Sequence, residues 1–251
     1  MYILSTDTAA KTASVCVSKL IDGVLKPLAD ANVNSTLTHS ESLLPMIDFC
    51  LKNANLAFSD IDITAVSAGP GSFTGVRIGV ATLKGLTFTN PDIACVGVSA
   101  LEALAYNLDY TSGCIVLPVM DARRSQFYNA AFSFTKSGKI KRYYEDDLSE
   151  FDIVYDRICK MFGNKKIVLT GDGAELFYSL YKKKHDGEMN ISVCGYAHMY
   201  EDAFSVAKCA VSVYEKTKDK SVFTSEKLAP VYLRASQAER ERNEKLQNEA
   251  K

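Results

Sequence analysis

Twice along this chain, three short strand patterns follow one another and then give way to helical segments alternating with strands. In the first copy the strands are Tyr2–Thr6, Ser14–Ser18 and Val24–Ala29, and Asp22-Gly23 supplies the hairpin turn between the last two. A helical segment over Glu41–Asn53 precedes the apolar strand Ile63–Ala68, which breaks at Gly69-Pro70-Gly71 and leads into a helix. Strand Ile93–Val98 follows, and Ser99-Ala100-Leu101-Glu102 reads as a capping box opening the next helix. The second copy runs Cys114–Met120, Gln126–Phe134 and Ile140–Tyr144, then a helix near Ile153–Phe162 and strand Ile167–Thr170 ending in Gly171-Asp172-Gly173. A helix near Glu175–Lys182, strand Ile191–Cys194 and a helix near Ala203–Tyr214 complete it. The copies share a pattern, with little residue identity.

Three antiparallel strands followed by alternating helices and strands predict a mixed sheet with helices on both faces. Two such βββαβαβα units give the duplicated actin-like and sugar-kinase (ribonuclease H-like) α/β fold. The expected division is 1–108 for an N-terminal subdomain, 109–235 for a C-terminal one and 236–251 for a charged tail. In that fold ligands sit between the units, facing the strand-end carboxylates Asp7 and Asp121 and the glycine turns; fold alone does not fix a function.

Charge excludes little and directs little: 29 Lys and Arg balance 30 Asp and Glu. There is no overall drive toward nucleic acid, so phosphate contacts are expected to come from partners. The segment Arg234 to Lys251 is dense in charge and reads as a solvated helix or frayed tail. Seven scattered cysteines, most beside apolar residues and none in C-x-x-C, point to buried thiols in the cytoplasm. No apolar run approaches the roughly 18 residues of a membrane helix, and Met1–Asp7 reads as a strand without a leader.

The run Gly69 to Gly79 follows a strand and opens a helix, leaving amide groups free at the helix start. It lacks the lysine of a P-loop, so a structural turn and a binding loop stay equally open. Beyond it Val76, Val80 and Leu83 share a core face, while Gly75 and Gly79, then Ala81 and Gly85, are small residues four apart. Such glycines cost on the order of 1 kcal/mol each against alanine, which a closely approaching neighbour would offset, either the chain's own sheet or another chain.

The helix before it has Leu43, Leu44, Ile47, Cys50 and Leu51 as its expected core stripe, with Met46 and Phe49 beyond the edge. The apolar arc spans about 220°, against roughly 100° for an ordinary surface helix. It is either a deep core helix or a core helix with a subunit interface on its outer side. Pro45 asks for a start near Glu41. His39 has Leu43, not a second ligand, four residues on, and His185 and His198 are remote, so no metal site is expected.

Taken together, Asp7-Thr8-Ala9, His39-Ser40-Glu41 with Leu44-Pro45, Gly69 through Gly79, Ser99 through Ala105, Met120-Asp121-Ala122-Arg123 and Pro230-Val231-Tyr232-Leu233-Arg234 resemble the TsaB (YeaZ-type) family. These proteins are dimerisation subunits of the bacterial tRNA threonylcarbamoyladenosine complex. The resemblance implies an actin-like, non-catalytic scaffold without cofactor or metal. It implies pairing with the catalytic paralogue TsaD and the ATPase TsaE to modify adenosine 37 of tRNAs reading ANN codons. The tRNA would be reached through the complex, and a homodimer could form alone. It places the partner surface on Leu43, Leu44, Met46, Ile47, Phe49 and Cys50 of one helix and Arg77, Ile78, Ala81, Thr82 and Gly85 of the next. The family-motif residues are Asp7, His39, Glu41, Gly69, Gly71, Ser72, Thr74, Gly75 and Gly79. The alternative is a small-molecule kinase or ATPase of the same fold with Asp7 and Asp121 in the cleft; a metallopeptidase-like activity would need ligands the sequence does not offer.

Overall fold

The computed structural model describes residues 1–34, 38–184 and 190–234; the charged tail and His185 lie outside them. Strand β1 (Tyr2–Asp7) is the middle of a five-stranded sheet, antiparallel to β2 (Ala13–Ile21) and parallel to β4 (Ile63–Gly69). Its central place explains a run buried on both faces instead of an alternation. β3 (Val24–Val33) lies at one edge, where a bulge beside Ser18 accommodates Pro27, and β5 (Ala94–Ser99) lies at the other. The second sheet holds β6 (Ile115–Asp121) in the middle, β7 (Gln126–Phe134) and β8 (Ile140–Glu150) antiparallel on one side, and β9 (Ile167–Thr170) and β10 (Ile191–Val193) on the other. Position for position, its order repeats that of the first sheet. This is the duplicated actin-like fold.

The helices are α1 (His39–Asn53), α2 (Phe73–Thr87), α3 (Ala100–Tyr106), α4 (Phe151–Phe162), α5 (Ala174–Lys184) and α6 (Ala203–Lys216). α3, which ends the first copy, rests on β6 and β7 of the second sheet, and α6, from the second copy, rests on β1, β2, β4 and β5. One apolar cluster runs from Ile3 through Leu104 to Val206, and a second joins β6, β7 and β9 to α4 and α5. Ser14 Oγ accepts from the Ala203 amide (2.6 Å), fixing the start of α6 against β2.

Two boundaries differ from expectation for identifiable reasons. α1 begins at His39, two residues earlier than Pro45 suggests, because the Glu41 carboxylate accepts both the amide (3.0 Å) and the hydroxyl (2.8 Å) of Thr38. Pro45 therefore lies inside the helix, on an exposed position. β8 runs past Tyr144 to Glu150 although Glu145, Asp146 and Asp147 are poor strand formers. Arg142 pairs with Asp146 and Glu102 (2.6 and 2.8 Å), and Arg157 pairs with Asp147 (2.7 Å). Glu102 is thereby drawn away from the expected capping box, of which only the Ser99 half forms.

Candidate functional site

The residues of the Asp7, His39 and Gly69–Gly79 segments converge on one knot. After β1 the chain passes between the starts of α1 and α2. The Asp7 carboxylate accepts from the Ala9 amide (2.8 Å) and from the Ser67 hydroxyl. Thr8 Oγ donates to the Gly75 carbonyl (2.8 Å), the Ala9 carbonyl accepts from the Ser72 amide (2.6 Å), and His39 Nε2 donates to the Ala10 carbonyl (2.7 Å). A Cβ at Gly71 would run into the Ala9 carbonyl, at Gly75 into the Thr8 carbonyl, and at Gly79 to within 2.7 Å of Thr8 Oγ. At Gly69, φ is +118°, and a Cβ would strike the Val231 carbonyl. Gly69, Gly71 and Gly75 make room for backbone carbonyls, and Gly79 for the side chains of Thr8 and Val66.

The small-residue spacing in α2 thus divides in two. Gly75 and Gly79 receive the chain's own loop, whereas Gly85 meets nothing within 4 Å and lies, with Ala81, on the exposed face. Gly75→Ala is expected to destabilise the chain by about 2–3 kcal/mol through overpacking against backbone. Gly85→Ala should instead stabilise it by about 0.5–1 kcal/mol, the helix-propensity gain. Urea titration of both variants checks this contrast; equal effects would contradict the division.

Of the expected interface residues on α1, Leu43, Met46, Ile47 and Cys50 belong to the core, Met46 being only 7% exposed. Leu44, expected in the core stripe, is 51% exposed, and Phe49 is 53% exposed. On α2, Arg77, Ala81, Gly85 and Thr74 are exposed, Ile78 and Thr82 half-buried, and Phe88, just past the helix, is 81% exposed. Arg77 stacks over Phe73 (3.9 Å) and donates from Nε to the Tyr232 hydroxyl (2.7 Å), while Phe73 and Tyr232 stack at 4.6 Å.

Tyr232 belongs to a strap that the sequence resemblance marked without explaining. The Val231 amide donates to the Ala68 carbonyl (2.7 Å) at the end of β4, and the Arg234 guanidinium donates to the Ala122 carbonyl and Gln126 Oε1 (2.7 and 2.6 Å). The strap ties the end of β4 in the first half to Ala122 and Gln126 in the second. The hydrogen-bond partners of Tyr232 and Arg234 were not legible in the sequence, because each lies at least 100 residues away.

The cleft has a volume of about 400 Å³ and is lined by residues including Ala9, Lys11, Ser72, Asp121, Arg123 and Asp172. Asp121 reaches it, but Asp7 does not line it and is 1% exposed, which corrects the expectation that both strand-end carboxylates face a ligand. Burial pushes the Asp7 carboxyl up to about 6, with Asp202 adding to the rise and the Ser67 and Ala9 hydrogen bonds and His39 opposing it. Nearby Glu201 is 2% exposed, and neither carboxyl oxygen has a hydrogen-bond partner among the described side chains. Its pKa stands well above the ordinary value through burial, and the charges of Asp7 and Asp172 raise it further. Among the described residues no three His, Cys, Asp or Glu side chains are grouped to hold a metal ion.

The sequence model of the family TsaD, tRNA N6-adenosine threonylcarbamoyltransferase, matches residues 34–250. The tRNA threonylcarbamoyladenosine biosynthesis protein TsaB of Escherichia coli K12 is 29% identical over 93% of this chain and 95% of its own length. The protein of the same name from Buchnera aphidicola subsp. Schizaphis graminum is 30% identical, over 68% of this chain and 78% of its own. The solved structure of YeaZ from Pseudomonas aeruginosa superposes with a TM-score of 0.73 at 23% identity, covering 92% of this chain and 99% of that one. It supports the fold.

Proposed function

This chain belongs to the TsaD family, as a TsaB (YeaZ)-type member serving tRNA threonylcarbamoyladenosine biosynthesis, and from that premise we propose that it is a non-catalytic scaffold there. It pairs with a catalytic TsaD-type paralogue, and with the TsaE-type ATPase, in the cytoplasm, to direct threonylcarbamoyl transfer to the adenosine of tRNAs reading ANN codons. The outer sides of α1 and α2 form the partner face: Leu44 and Phe49 from one helix, Ile78, Ala81, Thr82 and Gly85 from the other. Without the paralogue the same face makes a homodimer.

The observation that carries this reading is the use to which the motif residues are put. Asp7, His39, Gly71, Ser72, Gly75 and Gly79 hold the loop after β1 between α1 and α2 and so seat the two helices side by side. Core burial then leaves Leu44, Phe49 and Phe88 outside, where apolar side chains suit the centre of a protein interface. Reconstitution tests it: modification of a tRNA transcript requires this chain together with the paralogue and the ATPase. Full activity of the paralogue and ATPase without this chain would contradict the scaffold role.

The cleft offers a separate check on catalysis. With Asp7 engaged by Ser67 and Ala9, the isolated chain is expected to give no heat of binding with millimolar MgATP in titration calorimetry. Saturable binding that Asp121→Ala removes would make the cleft a working nucleotide site and contradict the scaffold reading.

A further inference from the structure

The near-zero net charge conceals a segregated surface in the second half. The chain from Thr135 to Tyr144 contains Lys136, Lys139 and Lys141 and no acid; the chain from Arg157 to Gly171 contains Lys160, Lys165 and Lys166 and no acid. Topology brings the two segments to one end of the second sheet. Residues 135–139 are the turn between β7 and β8, closed by the Thr135 amide on the Lys139 carbonyl (3.0 Å), and Phe134 pairs with Ile140 at its base. Val116 near the start of β6 lies opposite Phe132 near the end of β7, so that turn sits at the starting end of β6. The other segment ends α4 and enters β9 at the same end, where the Ile115 amide donates to the Lys166 carbonyl (2.8 Å). Tyr143 and Phe162 meet edge-to-face at 5.1 Å and fasten the two segments together.

All six lysines are exposed, and none forms an ion pair among the described residues. Lys141 alone is partly engaged, over the Tyr143 ring at 4.8 Å. Like charges gathered on two stretches of chain that carry no acid raise the local concentration of polyanions; Asp156, four residues before Lys160 on α4, bounds the second stretch. Lysine heads on flexible stems suit phosphate as point charges and read no sequence. The patch belongs to the second sheet, whereas α1 and α2 pack on the first, so partner pairing leaves it free.

We propose that this lysine end is a direct contact for the tRNA phosphate backbone, so that the scaffold holds the substrate as well as the paralogue. The inference rests on the tRNA-modification reading, because that is what selects RNA over an anionic membrane or an acidic protein.

The test uses the full chain in complex with its paralogue and ATPase, an unmodified tRNA transcript, and the variant Lys136→Glu, Lys139→Glu, Lys165→Glu, Lys166→Glu. The expected result is tRNA affinity at least about 30-fold weaker near 50 mM salt, with the slope of log affinity against log salt smaller by about 3, at roughly 0.7–0.9 for each phosphate no longer neutralised. Light scattering should show unchanged assembly and thermal melting an intact fold. Unchanged affinity and slope, with a wild-type complex that modifies tRNA, would overturn the inference and leave the scaffold reading standing. A wild-type complex that modifies no tRNA would overturn the reading itself. Loss of binding to phosphatidylserine vesicles, with tRNA binding intact, would assign the patch to a membrane and likewise overturn the inference.

Discussion

Phe49→Asp weakens pairing with a TsaD-type paralogue by at least about 100-fold, roughly 3 kcal/mol, and leaves the isolated chain folded. Phe49 is 53% exposed on α1, so a carboxylate there stays in water in the free chain. In the complex it would be buried among apolar side chains and left without a partner, which is the costly arrangement. Met46→Asp is the control with the opposite outcome. Met46 packs in the core, and burying a charge there costs several kcal/mol of folding stability. Surface plasmon resonance against the paralogue, with a urea titration of each variant, separates the effects. Undiminished affinity in Phe49→Asp would remove α1 from the interface.

The second large effect is on stability against pH. Asp7 titrates near 6 in the folded chain against 3.8 in an unperturbed one. Between those values the unfolded chain has released its proton and the native chain still holds it. Stability is therefore fully present below about pH 4 and falls as pH rises toward 6, by on the order of 3 kcal/mol for Asp7. Glu201, whose pKa burial raises well above the ordinary value, adds a loss of the same sign. Asp30, pushed up to about 6 by burial, adds to the loss in the same window, while Asp147, Glu41 and Asp219 are shifted the other way, so comparison of wild type with an Asp7 variant isolates this one group. Asp7→Asn keeps an acceptor for the Ala9 amide and offers Ser67 a donor. It is expected to be the more stable protein at pH 7.5 and to flatten the decline between pH 4 and 6. A variant with the same slope as wild type would show that Asp7 ionises freely.

The strands were legible because each copy spaces apolar runs between clear turn signals, and a pattern that recurs constrains more than either half alone. Side-chain direction on α1 was less so. Leu44 and Met46 are both apolar and flank Pro45, so composition cannot choose which of them faces inward; the knot that seats the helix start decides, and it buries polar Ser42 as well. For α2 the sequence could say that glycines need a close neighbour but not that Thr8 supplies it for Gly75 and Gly79 while Gly85 is left open. Asp7 matched the position of a cleft carboxylate, yet Ser67, sixty residues on, holds it below the surface. The lysine end escaped notice because a summed charge of −1 averages over both faces of the protein.

Light scattering after size-exclusion chromatography, on the chain alone and mixed with its TsaD-type paralogue, addresses the scaffold role most directly. The predicted result is a discrete species with the mass of the mixed complex, formed by wild type and absent for Phe49→Asp. Two separate peaks under every nucleotide condition would contradict it.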